Sequence, residues 1–492
     1  MALETELKLA LSPDTAKRLP KHPLLAGITA QRLQLVNTYY DTADRRLQQK
    51  RMAVRFRKKD AEWLLTVKCD AASPGGLARR NEWEGAAQPG QFKFSLVDSP
   101  KIRRFLESAR RELQPLFTTD FTRDRWLLTS KSGSRIEVAL DQGTIIAGKR
   151  QEAICEVELE LLDGHVDDLF ALAQALQNKL ALHPQGGSKA ERGYRLASAI
   201  GLLPVEMSKA AVEPTASALA AYRETIFACL SHLQANEQGL LASDSPEFTY
   251  QTRLAIRRLR SAIRIWQPLL PSSYVDNFAP RWRDLAERLG AARNWDVFID
   301  ECLSPMLKTF PQHAALSTLE GHASEHRATA RQASRATMSS RSYSQLLLEF
   351  TRATLTLPGR KKPSLLKFAP LCLDKCARRV ATLAQITRDA DPEARHDLRI
   401  ALKRLGNAAE FFSPLLPAHP LLAYLAHAAA LLDRLGRLND LAVARQLIAG
   451  INGDLPHELA LGWLAGQNDL LLGELDTALG DFLRHQPPWR MR

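Results

Sequence analysis

Charged side chains spaced two residues apart recur through the first two hundred positions, and they are sorted by sign. Glu4, Glu6 and Lys8 share one face of an extended segment whose other face carries Thr5, Leu7 and Leu9, because strand side chains alternate with a period of two. Two carboxylates and an amine on one face suit a hydrated divalent cation beside an anion. The segment Ile154 to Leu162 repeats the pattern, with Glu156, Glu158 and Glu160 set against Val157, Leu159 and Leu161. Other segments are basic: Arg55 and Arg57 alternate with Val54 and Phe56, and Thr66 and Lys68 share a side. A solvated sheet face intersperses both signs, whereas like charges two residues apart on one face repel. Such sorting is satisfied by ligands of opposite sign, cations at the acidic walls and a polyanion at the basic ones. A closed barrel of about eight strands has room inside for a ligand of that kind.

The elements that must position these groups read as strand-rich over residues 1 to about 200. A short helix from about Pro13 to Leu19 follows the opening strand. Strands are then expected over Leu33–Tyr40, Val54–Lys58, Trp63–Lys68 and around Arg80, Glu82 and Glu84, with a turn at Pro74-Gly75-Gly76. A helix near Lys101–Leu113 interrupts. Strands resume over Thr119–Trp126 and Arg135–Asp141, with Gln142-Gly143 read as a turn, and end with Ile154–Leu162. No glycine-rich loop of the nucleotide-triphosphatase kind occurs.

Bulk composition bounds the rest. At 492 residues, 45% hydrophobic and 25% charged, the chain suits two or three domains of an ordinary globular protein. No run of about 18 apolar residues spans a membrane, and Met1-Ala2-Leu3-Glu4 does not open like a signal peptide. Cys69, Cys155, Cys229, Cys302, Cys372 and Cys376 lack paired spacing, so buried thiols in a reducing cytoplasm are expected rather than zinc or disulfides. The net charge of +13 calls for an anionic partner. Lys and Arg outnumber Asp and Glu by 32 to 25 in residues 1–200 and by 35 to 29 beyond, which favours local sites over a basic coat.

After a linker over 203–217, the composition turns to Ala, Leu, Arg and Glu with helical periodicity. Arg253-Leu-Ala-Ile-Arg257-Arg258-Leu259 recurs 146 residues later as Arg399-Ile-Ala-Leu-Lys403-Arg404-Leu405. Trp266-Gln-Pro268 and Phe412-Ser-Pro414 keep the same offset, as do Glu287-Arg-Leu-Gly290 and Asp433-Arg-Leu-Gly436. Three blocks in register indicate a duplication and two similar helical bundles. Arg253, Arg257 and Arg264 lie on one helical stripe bordered by Arg260; His396, Arg399 and Lys403 form the second, with Arg404 beside it. Stacked cations repel unless an anion comes between them. The helices lack interleaved aromatics for base stacking, which argues against nucleic acid. His322 and His326 have ligand spacing but no third ligand, so a polar helix is expected there. Arg360-Lys-Lys-Pro363 reads as a basic loop between the copies and Pro487–Arg492 as a tail.

Six blocks in order give the first half a family resemblance. They are Glu4-Thr-Glu6-Leu-Lys8, Tyr39-Tyr-Asp41-Thr, Arg55 with Arg57, Thr66-Val-Lys68, Glu156-Val-Glu158 and Ser188-Lys189-Ala-Glu-Arg192-Gly193-Tyr194. Together they resemble the CYTH superfamily of triphosphate tunnel metalloenzymes. The resemblance implies an α+β domain over 1–202: an eight-stranded antiparallel β tunnel with flanking helices that binds a linear triphosphate with Mg²⁺ or Mn²⁺. Carried over by position, Glu4, Glu6, Glu156 and Glu158 hold metal. Lys8, Arg55, Arg57, Lys68, Arg123 and Lys189 grip phosphate oxygens, and Lys8, Glu82 and Asp141 are the catalytic candidates. Arg125 and Glu84 are the alternatives to Arg123 and Glu82, whose faces they share.

The second half, about 218–485, resembles the CHAD domain, an all-α module found beside CYTH domains that binds inorganic polyphosphate. The duplicated basic helix and the Leu-Gly-x-x-Arg/Asn-Asn/Asp segments carry this likeness. Arg253, Arg257, Arg260, Arg264, His396, Arg399, Lys403 and Arg404 are its implied polyphosphate contacts. Tyr250 stands in the place of His396 and Gly406 in that of Arg260, while Ala442 replaces Asp296 and Asp440 aligns with Asn294. The two resemblances imply a cytoplasmic inorganic triphosphatase, associated with polyphosphate granules. The alternatives are a non-catalytic polyphosphate binder, or a tunnel enzyme acting on thiamine triphosphate or ATP.

Overall fold

The structure is a computed structural model that describes residues 2–59, 62–69, 74–207, 212–358, 363–387, 392–451 and 457–490. It divides into two compact units, Met1–Leu203 with Ser339–Thr356, and Pro204–Met338 with Leu357–Arg492.

The first unit is built on strands β1 (Ala2–Ala10), β2 (Gln31–Asp41), β3 (Met52–Lys59), β4 (Glu62–Cys69), β5 (Leu77–Ala86), β6 (Gln114–Thr129), β7 (Arg135–Ala147) and β8 (Arg150–Asp163). Hydrogen bonding runs β5-β4-β3-β2-β6-β7-β8-β1, and β1 pairs back onto β5, so eight antiparallel strands close into a barrel. The two-residue β9 (His183–Pro184) adds beside β1. Helices α1 (Pro13–Arg18), α2 (Arg46–Gln49), α3 (Pro100–Ala109), α4 (Val166–Gln177) and α5 (Lys189–Ser198) flank it.

Alternation places charge inside this barrel and apolar side chains outside. Leu7, Leu9, Val138, Leu140, Val157 and Leu159 form one core with Ala16 of α1 and Leu169, Phe170, Ala173 and Leu176 of α4. On another side Val54, Phe56, Leu65, Val67 and Trp83 pack with Phe92 and Phe94 of the following loop and with Leu106 of α3. Each fully buried side chain of this size contributes about 1.5–3 kcal/mol. The outer shell therefore supplies the drive for closure that a charged interior cannot.

The turn expected at Gln142-Gly143 is a correction: both residues lie inside the continuous strand β7. Gly143 pairs with Phe121, and a Cβ on it would overlap the Asp120 carbonyl and Phe121. The glycine marks a close backbone approach within the sheet rather than a chain reversal.

The second unit is helical. In chain order its elements and one insertion are α6 (Ala218–Ala242), α7 (Pro246–Trp266), α8 (Ser272–Arg288), α9 (Gly290–Val297), α10 (Ser304–Thr309), α11 (Ala314–Met338), α12 (Arg341–Leu355), α13 (Leu365–Ile386), α14 (Pro392–Phe411), α15 (Ala418–Ala449) and α16 (Glu458–Arg484). A shift of 146 residues lays α6 on α13, α7 on α14, α8 with α9 on α15, and α11 on α16. Residue and repeat-mate meet in the core. Ser261 accepts from Asn407 at 2.8 Å, and the Trp266 and Phe412 rings lie 5.0 Å apart. A local two-fold axis between α7 and α14 accounts for both contacts.

Helix α12, between the two copies, packs with the barrel unit, although its sequence position lies within the stretch read as helical domain. Arg352 forks onto Asp167 of α4 at 2.7 and 2.6 Å, Arg341 donates to the Gln177 and Asn178 carbonyls, and Leu348 joins the β1–β8 core. Nothing in its amphipathic pattern names the surface it covers. The basic loop Arg360-Lys-Lys and the end of the C-terminal tail, residues 491–492, lie outside the described residues.

Candidate functional site

The barrel encloses a cavity of about 460 Å³. Nine residues singled out from the sequence line it: Glu4, Lys8, Arg55, Arg57, Lys68, Glu82, Arg123, Glu158 and Lys189. Glu6, Asp141 and Glu156 are buried in the same wall, just behind that lining, at 2%, 0% and 0% exposure. Arg125 does not line the cavity; it pairs with Glu137 at 3.2 Å. Glu84 does line it, 2.8 Å from the Thr66 hydroxyl and 3.8 Å from Arg57.

One wall gathers carboxylates from β7 and β8 and cations from β6 and α5. β6 and β7 pair Arg123 with Asp141, and β7 and β8 pair Asp141 with Glu156. Arg123 forks onto Asp141 at 2.7 Å through both nitrogens and reaches Glu158 at 2.5 Å. Lys189 enters from the first turn of α5, which a capping box fixes: the Ser188 hydroxyl accepts from the Glu191 amide and the Glu191 carboxylate from the Ser188 amide. Its ammonium lies 2.7 Å from Asp141, 2.5 Å from Glu156 and 2.9 Å from Glu158. Burial opposes ionisation of Glu158, but Lys189 and Arg123 outweigh it and hold this carboxyl well below its ordinary range. Gly193, also on α5, sits where a Cβ would overlap the Phe117 ring, which keeps the helix close to the barrel.

The opposite wall is richer in cations. Arg55 lies 3.2 Å from the Tyr39 hydroxyl and 3.7 Å from Glu82, and its buried Nε and Nη2 have no hydrogen-bond acceptor among the described residues. Arg57 is lowered to about 10, first by burial and then by repulsion from Arg55 and Arg123. Arg57 is thus short of negative charge, whereas Arg55, held charged against its burial by Tyr39 and Glu82, keeps unused donors. Glu82 is lowered to about 2, because Lys68 and Arg55 overcome its burial. Lys68 bridges Glu4 at 3.0 Å and Glu82 at 2.7 Å. The motif aspartate Asp41 has a structural task instead: it accepts from the amides of Thr42, Leu47 and Gln48 and so anchors α2.

Sequence reasoning gave no role to four residues here. Arg80 bonds both Glu4 and Glu6, and the inward parity of Glu82 on β5 was the signal for it. Arg192 holds Glu156 at 2.9 Å, and Tyr39 orients Arg55. Glu160 is pushed up to about 7, first by burial and then by Glu4, Glu137 and Glu6. Asp141, Glu156 and Glu158 present oxygens within 4.8 Å of one another. Three hard oxygen donors at that spacing fit Mg²⁺ or Mn²⁺ better than a soft metal.

In the helical unit α7 and α14 bring Arg253, Arg257, Arg399 and Lys403 into one electrostatic cluster. Lys403 is lowered to about 7 by burial and by Arg399, Arg257 and Arg253. The buried Nε atoms of Arg257 and Arg399 have no acceptor among the described residues. His396 and Arg399 converge on Asn439, at 3.2 and 2.8 Å. In the first copy Arg293 lies over the Tyr250 ring, 5.2 Å from its centroid. Of the other candidates, Arg260 borders the cluster, repelling Arg253 while facing Glu287 and Arg283, and Arg404 has Arg264, Cys376 and Arg379 as its charged and titrating neighbours. Two acids temper the charge, Glu410, unnamed from the sequence, and Asp440, known there only as the counterpart of Asn294. Glu410, the repeat-mate of Arg264, pairs with Arg258 at 2.6 Å, and Asp440 faces Arg399 and Lys403.

An antiparallel barrel with a charged bore and an apolar outer shell, followed by a duplicated helical domain, defines a tunnel-type barrel protein with a helical companion. Residues 2–194 match the CYTH domain family and residues 224–449 the CHAD domain family, so the chain carries a CYTH domain followed by a CHAD domain. An inorganic triphosphatase of Haemophilus influenzae is 38% identical over 211 residues, which cover 40% of this chain and 56% of that protein. The chain thus spans little more than half of that relative. The crystal structure of the CHAD domain of the plant Ricinus communis is 27% identical with a TM-score of 0.50, covering 57% of this chain and 97% of that one. No described helix is long and apolar enough to cross a membrane.

Proposed function

We propose that the barrel is a metal-dependent inorganic triphosphatase, splitting triphosphate into diphosphate and phosphate, and that the helical unit binds inorganic polyphosphate. The observation that carries the reading is a cavity of about 460 Å³ in which Arg55, with unused donors, and Arg57, short of negative charge, face a buried carboxylate set. Anion binding alone does not require that carboxylate set. Asp141, Glu156 and Glu158, with Glu4 and Glu6, supply donors for Mg²⁺ or Mn²⁺. Such an ion, when bound, supplies charge neutralisation and a more acidic water.

The chain's own groups do the rest. Arg55, Arg57 and Arg123 offer forks that match phosphate oxygens, and a phosphate beside Arg57 relieves the repulsion that lowers it. Lys8, Lys68 and Lys189 add point charges along the same bore. Glu82, held ionised by Lys68 and Arg55, and Asp141, paired with Arg123 and Lys189, orient the attacking water at the ends of the site. Positioning and electrostatic stabilisation are the main contributions to phosphoryl transfer. In the helical unit Arg253, Arg257, Arg399 and Lys403 are the central polyphosphate contacts, and a cytoplasmic place beside polyphosphate granules follows from that affinity.

Phosphate release from triphosphate, ATP, thiamine triphosphate and long-chain polyphosphate, with Mg²⁺ and Mn²⁺, tests the enzyme. Triphosphate is expected to be the preferred substrate; binding without metal-dependent release would leave a polyphosphate-binding protein instead. Lys403 provides a second check. Its depressed value leaves it mostly neutral at pH 8, and an adjacent polyanion restores the charge. Polyphosphate binding at pH 8 is therefore expected to take up protons, while at pH 6, where Lys403 is already charged, uptake should shrink. Calorimetry in buffers of different ionisation enthalpy reads that number, and equal uptake at both pH values would remove Lys403 from the contact.

A further inference from the structure

We propose that Arg80 is an exchangeable counter-cation: it binds Glu4 and Glu6 until a divalent cation takes those carboxylates, and then transfers its charge to triphosphate. The proposal rests on the triphosphatase reading above and assigns a role to a residue outside that reading's contacts.

Arg80 stands at the seam where the barrel closes, paired in register with Glu4 across β5 and β1. Its Nε donates to Glu4 Oε2 at 2.7 Å and its Nη2 to Glu6 Oε1. One guanidinium thus lies between the two carboxylates, and a divalent ion held by Glu4 and Glu6 would compete with it for the same oxygens. Arg does not deprotonate inside proteins, so the conflict is resolved only by movement. Lys68, the other cation on Glu4, has Glu82 at 2.7 Å to retain it. Lys8 lies 3.1 Å from Glu6 Oε1 and 4.0 Å from Glu158. The Arg80 side chain lines the same cavity as Arg55, Arg57 and Arg123. Once released from Glu4 and Glu6 it is therefore already beside the proposed phosphate path, where its planar fork suits two phosphate oxygens.

Exchange of this kind links the two ligands. Metal frees the guanidinium for triphosphate, and triphosphate draws the guanidinium off the metal's carboxylates, so each ligand tightens the other by the same factor. A purely structural Arg80 predicts no such linkage.

The test uses full-length protein, wild type and Arg80→Gln. Mn²⁺ binding is measured alone by equilibrium dialysis, and triphosphate binding by calorimetry with EDTA and again with Mn²⁺. Arg80→Gln is expected to bind Mn²⁺ alone about tenfold more tightly and triphosphate in EDTA about tenfold more weakly, with the mutual enhancement reduced by a similar factor. A folded variant whose Mn²⁺ affinity is unchanged or weaker overturns the exchange. Arg80→Lys retains charge without the fork and is expected to lose part of the enhancement; it decides the matter if the glutamine variant does not fold, and unchanged enhancement in it counts against the proposal. Normal triphosphate turnover with no altered linkage sinks only the role of Arg80. A wild-type protein that does not release phosphate from triphosphate with Mn²⁺ sinks the tunnel reading and the exchange together.

Discussion

Lys189→Met is expected to lower kcat for triphosphate hydrolysis by about 10²–10³-fold, the range for removing one preorganised charge from a transition-state site. The substitution also leaves Asp141, Glu156 and Glu158 without the ammonium that lies within 2.9 Å of all three. Breaking a buried ion pair in this way costs about 3–5 kcal/mol, which urea denaturation should detect. The two losses part on adding Mg²⁺. A divalent ion in the carboxylate cluster recovers stability in the variant more than in wild type, whereas kcat stays low because the phosphate contact is gone. Lys189→Arg should regain stability and part of the rate. Recovery of both properties in Lys189→Met by Mg²⁺ alone would contradict a phosphate role for the lysine.

The second large effect belongs to the helical unit. Arg257→Glu combined with Lys403→Glu reverses two charges at the centre of the α7–α14 cluster, and polyphosphate affinity should fall by about two orders of magnitude, with a flatter dependence on salt because fewer counterions are released. The converse holds for stability. Lys403 lies below its unfolded value, so the unfolded chain binds the extra proton between pH 7 and 10, and the cost of burying the charge is full below pH 7. Lys403→Met is therefore expected to unfold at higher temperature than wild type at pH 6, with the gain fading between pH 7 and 10. Arg264→Glu, remote from the Lys403 cluster, should weaken polyphosphate far less than the double reversal. Equal losses from both changes, measured by filter binding at two salt concentrations, would mean a diffuse basic surface rather than a site.

The period-two alternation made much of the barrel interior readable. Glu4, Glu6, Lys8, Arg55, Arg57, Lys68 and Glu158 face inward because Leu7, Val54, Phe56, Val67 and Val157 must face the apolar shell, and parity is a local property. Strand-to-strand register is not local. Arg80 had the right parity, but only the closure of β5 onto β1 places it on Glu4 and Glu6. Gly143 misled because glycine serves both turns and close backbone approaches, and the Phe121 contact that decides between them lies on another strand. In the helical half the 146-residue offset disclosed the duplicated helices, yet the pairing of Glu410 with Arg258 and of Asp440 with Arg399 was not legible, because the partners are far apart in sequence. Helix α12 was assigned by neighbourhood in the chain, while its position is set by Asp167 and the Gln177 and Asn178 carbonyls.

The most direct test follows triphosphate by ³¹P nuclear magnetic resonance with wild-type protein and Glu6→Ala, in Mg²⁺ and in EDTA. Wild type in Mg²⁺ should convert triphosphate to diphosphate and phosphate in equal amounts, and both the chelator and the Glu6 change should stop it. Turnover that persists in EDTA, or that Glu6→Ala leaves intact, would contradict a carboxylate-held metal at the heart of this barrel.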